Sequence, residues 1–184
     1  MDTDYHRQQL IRILQHAYSG EWAAAYAYRG HWKSLKNPAE RERIRQIENE
    51  EWVHRAHVGL MLESLKAAPV KMREIRMWII GRSVGIGCHL VGWFLPMYFA
   101  GRLESGNADE YRSAALHAAH LGLKEFEAEL LVMAEVEREH EMYFMSVVAG
   151  HPRLAFVQAI FKWGPTAPVE QREAKAEASS QSTN

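Results

Sequence analysis

The tetrapeptide Glu-Trp-Val-His at 51–54 and its counterpart Glu-Arg-Glu-His at 137–140 decide the fold of this chain. A step of three residues turns an α-helix by about 300°, so the Glu and the His of each tetrapeptide share one face. Two single glutamates, Glu21 and Glu104, precede the two tetrapeptides along the chain. Two helices with Glu-x-x-His and two with one Glu are the ligand set of a carboxylate-bridged two-metal site in a four-helix bundle.

Proline and glycine divide the rest of the chain into predicted helices. Asn37-Pro38 separates the first two, Ala68-Pro69 ends the second, and Gly122 precedes the last. The predicted segments, in order, are 5–36, 38–66, an apolar glycine-spaced stretch over 70–101, an amphipathic helix over 108–121 after an interruption at Ser105-Gly106-Asn107, and 124–149.

The four glutamates fall at matching heights in two predicted hairpins. Glu21 and Glu51 lie 16 and 14 residues from the turn at Asn37, and Glu104 and Glu137 lie 18 and 15 residues from the second turn. At 1.5 Å per residue, each pair is level to within about 3–5 Å. Glutamates placed at random would not be expected to become level twice, so the spacing favours one shared site.

A crossover must join the two hairpins. If the third bundle helix began at Val70, Glu104 would lie about 50 Å along it, whereas Glu51 is only 18 residues from the turn at Pro69. Residues 70–87 are therefore predicted to return along the bundle, and the third bundle helix to span 88–121. The predicted fold is all-α, a ferritin-like four-helix bundle with a long crossover between the two helical hairpins.

The predicted ligands are carboxylates and imidazoles, donors that suit iron and manganese. Buried glutamates without a cation take up protons or cost several kcal/mol. Any one of them alone could be a solvated surface residue, but apolar neighbours such as Trp22 and Phe99 favour burial. The candidate metal ligands are Glu21, Glu51, His54, Glu104, Glu137 and His140.

Other polar residues near the tetrapeptides are assigned to different positions. Glu48, Glu50, Glu139 and Glu141 do not keep the three-residue step to a histidine, so they are predicted to face outward. His57, His117 and His120 are predicted at the surface or at the edge of the core, and Cys88 as a small packing residue.

Length and composition indicate one domain. The chain has 184 residues, a net charge of −1 and one cysteine, which excludes an intrachain disulfide and a Cys-rich metal module. The near-neutral charge gives no indication of a nucleic-acid partner, and the polar N-terminus is unlike a secretory signal, so a cytoplasmic location is expected. The predicted divisions are a bundle over 1–150, a short amphipathic segment over 151–164 and a disordered tail over 165–184.

Residues 77–101 are long enough to be compared with a membrane span. Arg82, His89 and Pro96 interrupt the stretch and argue against a span. Aromatic residues such as Trp78 and Trp93 suit a surface that touches the bilayer interface instead. Peripheral contact with the inner face of a membrane is therefore the expectation.

The chain resembles the demethoxyubiquinone hydroxylases, ferritin-like di-iron monooxygenases of ubiquinone synthesis. Gly20-Glu21 followed by Tyr28-Arg29-Gly30-His31 is similar to the first-helix signature of that family. The two Glu-x-x-His elements and Glu104 match its ligand pattern over roughly residues 10–145. Most specific is the glycine series after Trp78, which resembles the family's crossover and third helix: Gly81, Gly85, Gly87 and Gly92.

The resemblance implies two iron ions that activate O₂ and hydroxylate a quinone ring. It also implies an apolar substrate, an external electron donor and contact with a membrane surface; self-association of the chain is left open. Where the family has His-Tyr after its third-helix glutamate, this chain has Glu110-Tyr111, so Tyr111 is the candidate that acts beside the ligands and the quinone substrate is in question.

Three functions follow from these expectations. The first is an O₂-activating monooxygenase with two iron ions, or manganese in their place. The second is a ferroxidase or peroxide-scavenging bundle, which needs the same ligands and no organic substrate; a rubrerythrin-type version would carry a Cys-x-x-Cys module, which one cysteine cannot form. The third is a helical scaffold without metal.

Overall fold

The structure is a computed structural model that describes residues 2–164, which fold into helices without any strand in that range. The prediction of an all-α, ferritin-like four-helix bundle with a crossover is confirmed: α1, α2, α4 and α5 form the bundle and α3 returns along α1. The helices are α1 (Asp2–Ser34), α2 (Pro38–Ser64), α3 (Lys71–Gly87), α4 (Phe94–His120), α5 (Lys124–Val148) and α6 (Leu154–Phe161). The predicted tail over 165–184 lies outside the described residues.

The two hairpin turns form where proline and glycine predicted them. The side chain of Asn37 caps α2 by accepting a hydrogen bond from the Ala39 amide at 2.9 Å, and Pro38 occupies the first helical position. Gly122 takes the left-handed backbone conformation, with φ of +71°, between α4 and α5. Each hairpin therefore brings its two glutamates to the same height.

The glycine series explains why α3 packs tightly on α1. A Cβ on Gly81 would lie 2.3 Å from the carbonyl oxygen of Ala23, and one on Gly30 would lie 2.3 Å from the Cα of Gly85. Only glycine permits helix backbones to approach so closely. Gly92, with φ of +80°, serves a different purpose in the connection to α4.

The prediction for the third bundle helix was wrong in two places. The helix begins at Phe94 rather than at residue 88, because the chain turns at Gly92. It also runs without interruption through Ser105-Gly106-Asn107. A helical glycine costs about 1 kcal/mol relative to alanine, and the burial of Tyr98 and Tyr111 on either side outweighs that cost.

Two apolar clusters fill the ends of the bundle and leave a polar layer between them. One cluster includes Leu14, Met61 and Leu130, and the other includes Ile47 and Phe144. All six candidate ligands lie in the layer between the clusters. The apolar ends therefore hold the polar layer away from water.

The segment after α5 folds back on the bundle through Trp163. The carbonyl of Trp163 accepts a hydrogen bond from Tyr98 at 2.6 Å, and its ring packs against Gly101, where any Cβ would clash. Within α6, Phe156 and Ile160 remain exposed while Val157 is buried. Among residues 2–164, no helix combines the length and the apolar character needed to cross a bilayer.

Candidate metal centre

The structure brings the six predicted ligands together from four helices. Each has at most 5% of its surface exposed, which for ionisable side chains is exceptional. The bundle helices α1 and α4 each contribute one glutamate, and α2 and α5 each contribute a glutamate and a histidine. The six are Glu21, Glu51, His54, Glu104, Glu137 and His140.

These residues form two overlapping groups, each of the size that holds one metal ion. Within each group the candidate ligand atoms lie within 4.8 Å of one another. One group contains Glu21 and His54, the other contains Glu104 and His140, and both contain Glu51 and Glu137. Two positions with two shared carboxylates are the arrangement of a bridged two-metal site.

The unpaired atoms of the cluster fit a cation. Both carboxylate oxygens of Glu51, one oxygen each of Glu21 and Glu137, and Nδ1 of His140 are buried without a hydrogen-bond partner in the described part of the chain. Buried polar atoms are ordinarily paired, and each unpaired one is costly. The cluster could therefore hold metal ions, and its oxygen-rich donors with two imidazoles suit iron or manganese.

Burial changes the acidity of the same groups. It raises the pKa of Glu21, and it raises the pKa of Glu51 and Glu104 well above the ordinary value. Burial also acts on Glu137, but its interactions with the neighbouring Glu104 carboxyl and with the two histidines lower its pKa below the ordinary range. His54 Nδ1 lies 2.9 Å from Glu137 Oε1. Without a cation, the raised pKa values favour the protonated forms of Glu21, Glu51 and Glu104, and the lowered pKa favours an ionised Glu137.

Two tyrosines hold the single glutamates in a crossed arrangement. Tyr111 of α4 donates its hydroxyl hydrogen bond to Glu21 of α1, and Tyr28 of α1 donates to Glu104 of α4. The amide of Asn107 donates to the second oxygen of Glu104 at 3.2 Å. Sequence reasoning named Tyr111 and missed this contact of Tyr28. The available signal was the seven-residue step from glutamate to tyrosine, which occurs in both helices.

Glu50 is a further residue of the centre that sequence reasoning placed on the outer face. Its Oε2 lies 2.6 Å from Nε2 of His140, and the same oxygen lies 3.2 Å from Nη1 of Arg43. A carboxylate on one ring nitrogen fixes the orientation of the imidazole and directs the other nitrogen inward. Glu50 is half-exposed rather than fully on the outer face, and its contact with His140 was not predicted.

The outward orientation predicted for Glu48 and Glu141 was wrong. Both are buried, and donors remote in the sequence form hydrogen bonds with their carboxylates. Glu48 accepts hydrogen bonds from Arg29 and from the Trp32 indole, each at 2.7 Å. Glu141 accepts one from the Trp163 indole at 2.9 Å. Neither belongs to the metal-sized groups.

The other residues that were predicted not to bind metal lie away from the centre. Glu139 is exposed. His57 is half-exposed, and its Nδ1 lies 2.6 Å from Oε1 of Glu129. His117 contacts His6 near the start of α1, and Cys88 is buried at the end of α3.

An apolar cavity of about 520 Å³ opens beside the centre, among α1, α3 and α4. Glu21 and Glu104 form part of its wall, so the cavity reaches both metal-sized groups. Alanines of α1 and branched side chains such as Ile80 and Val84 of α3 line most of the remainder. Its volume is within the range of small-molecule sites.

Comparison with models of protein families, with curated proteins and with solved structures finds no match for this chain. The class of protein is therefore described from its fold and from the buried cluster alone. It is a helical bundle with a buried group of glutamates and histidines that could hold metal ions.

Proposed function

We propose that this protein is a di-iron monooxygenase that hydroxylates an apolar, quinone-like substrate and is related to the demethoxyubiquinone hydroxylases. The observation that carries the proposal is the junction between the two metal-sized groups and the apolar cavity, whose wall includes Glu21 and Glu104. Two irons are the proposed cofactor, and manganese is the alternative that the same donors accept. Bound at the six residues, the irons would supply the binding and reduction of O₂.

The protein's own side chains keep the centre in position. Tyr111 and Tyr28 hold Glu21 and Glu104 at the cavity wall by donating hydrogen bonds from their hydroxyls. Glu50 fixes the ring of His140. The apolar wall offers a ligand a surface beside the two glutamates, which is the contribution that a substrate site makes before any chemistry.

Hydroxylation requires a partner for the electrons. One oxygen atom of O₂ enters a C–H bond and the other leaves as water, so the reaction consumes two electrons and two protons. An external electron donor supplies them in this proposal. A cysteine pair cannot replace that donor, since Cys88 has no second cysteine to pair with.

The exposed face of α3 is the proposed contact with a membrane that dissolves the substrate. Met72, Ile75, Ile79 and Ile86 are each more than half exposed on this helix. Apolar side chains on one exposed helix beside basic residues are typical of peripheral attachment to a bilayer surface. Attachment at the cytoplasmic face of that membrane is part of the proposal.

Ferroxidase or peroxide-scavenging activity is the alternative function. It needs the same six ligands and has no use for the cavity, so the cavity discriminates between the two. Val84→Trp would fill the cavity from α3, and Ser83→Trp is its matched control because Ser83 is exposed on the same helix outside the cavity. The proposal expects Val84→Trp to abolish hydroxylation while iron binding and iron oxidation continue.

The first test is an anaerobic Fe²⁺ titration followed by exposure to O₂. We expect two irons per chain, an absorption band of an oxo-bridged ferric pair, and loss of both in Glu51→Ala and His140→Ala. Glu139→Ala is the exposed control. Incorporation of labelled oxygen into a quinone analogue would then support hydroxylation. A folded protein that refuses iron would overturn both metal-dependent functions.

A further inference from the structure

The apolar cavity beside the metal centre has one positively charged end. Arg73 and Arg76 of α3 line this end, together with His16 of α1 and Glu110 of α4. The opposite end, near Cys88 and the start of α4, is lined mainly by apolar side chains. Two guanidinium groups against one carboxylate leave an excess of positive charge where an otherwise apolar space begins.

One nitrogen of the half-buried Arg73 guanidinium lacks an acceptor. Its Nη1 is buried and has no hydrogen-bond partner within residues 2–164. Glu110 lines the same end of the cavity, but its Oε1 lies 4.0 Å from His16 Nδ1, and no ion pair joins it to Arg73 in the described chain. Burial of a charged donor without an acceptor is costly, so the geometry calls for an acceptor from outside the chain.

The dimensions of the cavity select an elongated ligand. Arg73 and Cys88 both line it, and at the helical rise they lie about 22 Å apart along α3. The planar fork of an arginine matches a carboxylate in two parallel hydrogen bonds, better than it matches a neutral oxygen. The charged end, the apolar length and the unpaired Nη1 thus describe one kind of molecule.

We propose that the cavity binds a long-chain carboxylate, with its head on Arg73 beside Arg76 and its chain along α1, α3 and α4. The chain would then pass Glu21 and Glu104, which lie in the same wall. An amphipathic acid keeps the apolar chain of the proposed substrate and adds an anionic head, which a neutral isoprenoid quinone does not offer to Arg73. It rests on the proposed function only for the statement that the ligand is also the substrate.

Binding is tested on the metal-free protein, so that the result does not depend on the metal centre. Isothermal titration compares dodecanoate with dodecanol, which share one chain and differ only in the head. We expect dodecanoate to bind at least tenfold more tightly at pH 8, the ratio that a hydrogen bond to a charged group provides. Equal affinities, or no binding of dodecanoate, would overturn the proposal without need of any variant.

Variants then locate the head of the ligand. Arg73→Gln should weaken dodecanoate about tenfold or more and leave dodecanol unchanged, and Arg73→Lys should retain part of the preference. Arg82→Gln is the matched control, because Arg82 lies on the same helix, stacks on Trp78 and does not line the cavity. Equal losses in Arg73→Gln and Arg82→Gln would refute the assignment. Failure of iron binding would refute the proposed function and leave this result intact.

Discussion

Replacement of Glu51 by glutamine should stabilise the metal-free protein and abolish its stabilisation by metal. Both oxygens of Glu51 are buried without partners, and burial raises its pKa well above the ordinary 4.5. The folded protein therefore binds more protons at this residue than the unfolded chain does. Its contribution to stability is complete below pH 4.5 and is lost as the pH rises toward the raised pKa. Glutamine has nearly the same shape and does not ionise, so it loses no stability as the pH rises.

The size of the effect follows from linkage. One carboxyl group that stays protonated in the folded state costs up to about 1.36 kcal/mol for each pH unit above its unfolded pKa. Glu51→Gln should remove most of that slope and relieve the neighbouring carboxyls as well. Bound metal should make the wild type more stable than the variant, because a ligand at a hundred times its Kd stabilises the folded protein by about 2.7 kcal/mol per site. The variant lacks a residue shared by both groups.

The assay is urea unfolding followed by far-ultraviolet circular dichroism, with chelator at pH 6, 7 and 8 and with Mn²⁺ at pH 7. In chelator at pH 8 the variant should be the more stable protein, and with Mn²⁺ the wild type should be. Glu139→Gln, exposed on α5, should follow the wild type throughout. The reasoning would be refuted if Glu51→Gln were the less stable in chelator at pH 8, or if Mn²⁺ stabilised it as strongly as the wild type.

Three further predictions concern the residues around the centre. Glu50→Gln should weaken metal binding about 10- to 100-fold, because Nε2 of His140 loses its partner at 2.6 Å; competition against a fluorescent chelator measures this, and unchanged affinity would contradict it. Gly81→Ala should cost about 3 kcal/mol in urea unfolding, because its Cβ would lie 2.3 Å from an α1 carbonyl oxygen. The control Gly87→Ala, with nothing within 4 Å in the described chain, should stabilise by about 0.5–1 kcal/mol, and equal effects would refute the close approach. Burial lowers the pKa of His31 to about 4, so the unfolded chain binds more protons and the wild type loses about 2 kcal/mol at this residue from pH 7.5 to pH 5. His31→Gln should lack that loss in urea titrations at the two pH values, and parallel losses would exclude the histidine as its source.

The fold could be predicted because its turns depend on local chemistry. Asn37-Pro38 and Gly122 define the two hairpins through a cap, a fixed φ and a positive φ, none of which needs tertiary information. The continuity of α4 through Gly106 could not be predicted in the same way. Local propensity favours a break there, and only the packing of the whole helix decides against it.

The centre was predictable in its helical periodicity and not in its partners. The step from Glu51 to His54 fixes a shared face within one helix, so sequence alone locates both residues. The contact of Glu50 with His140 depends on the rotation of two helices against each other, which no spacing within one helix specifies. Burial of Glu141 likewise depends on Trp163, which approaches only after the chain folds back beyond α5.

A purely structural role accounts poorly for the arrangement of the centre. Buried ionisable groups contribute little net stability, and apolar residues of similar volume commonly serve a core equally well or better. In this bundle the ionisable groups are buried between the two apolar clusters. The unpaired atoms of Glu51 and Glu137 point toward one another there and have no hydrogen-bond partners in the described chain. Each single glutamate is also held by a tyrosine from the opposite hairpin. Such contacts fix the geometry of the carboxylates without neutralising them, which a metal centre requires and a scaffold does not.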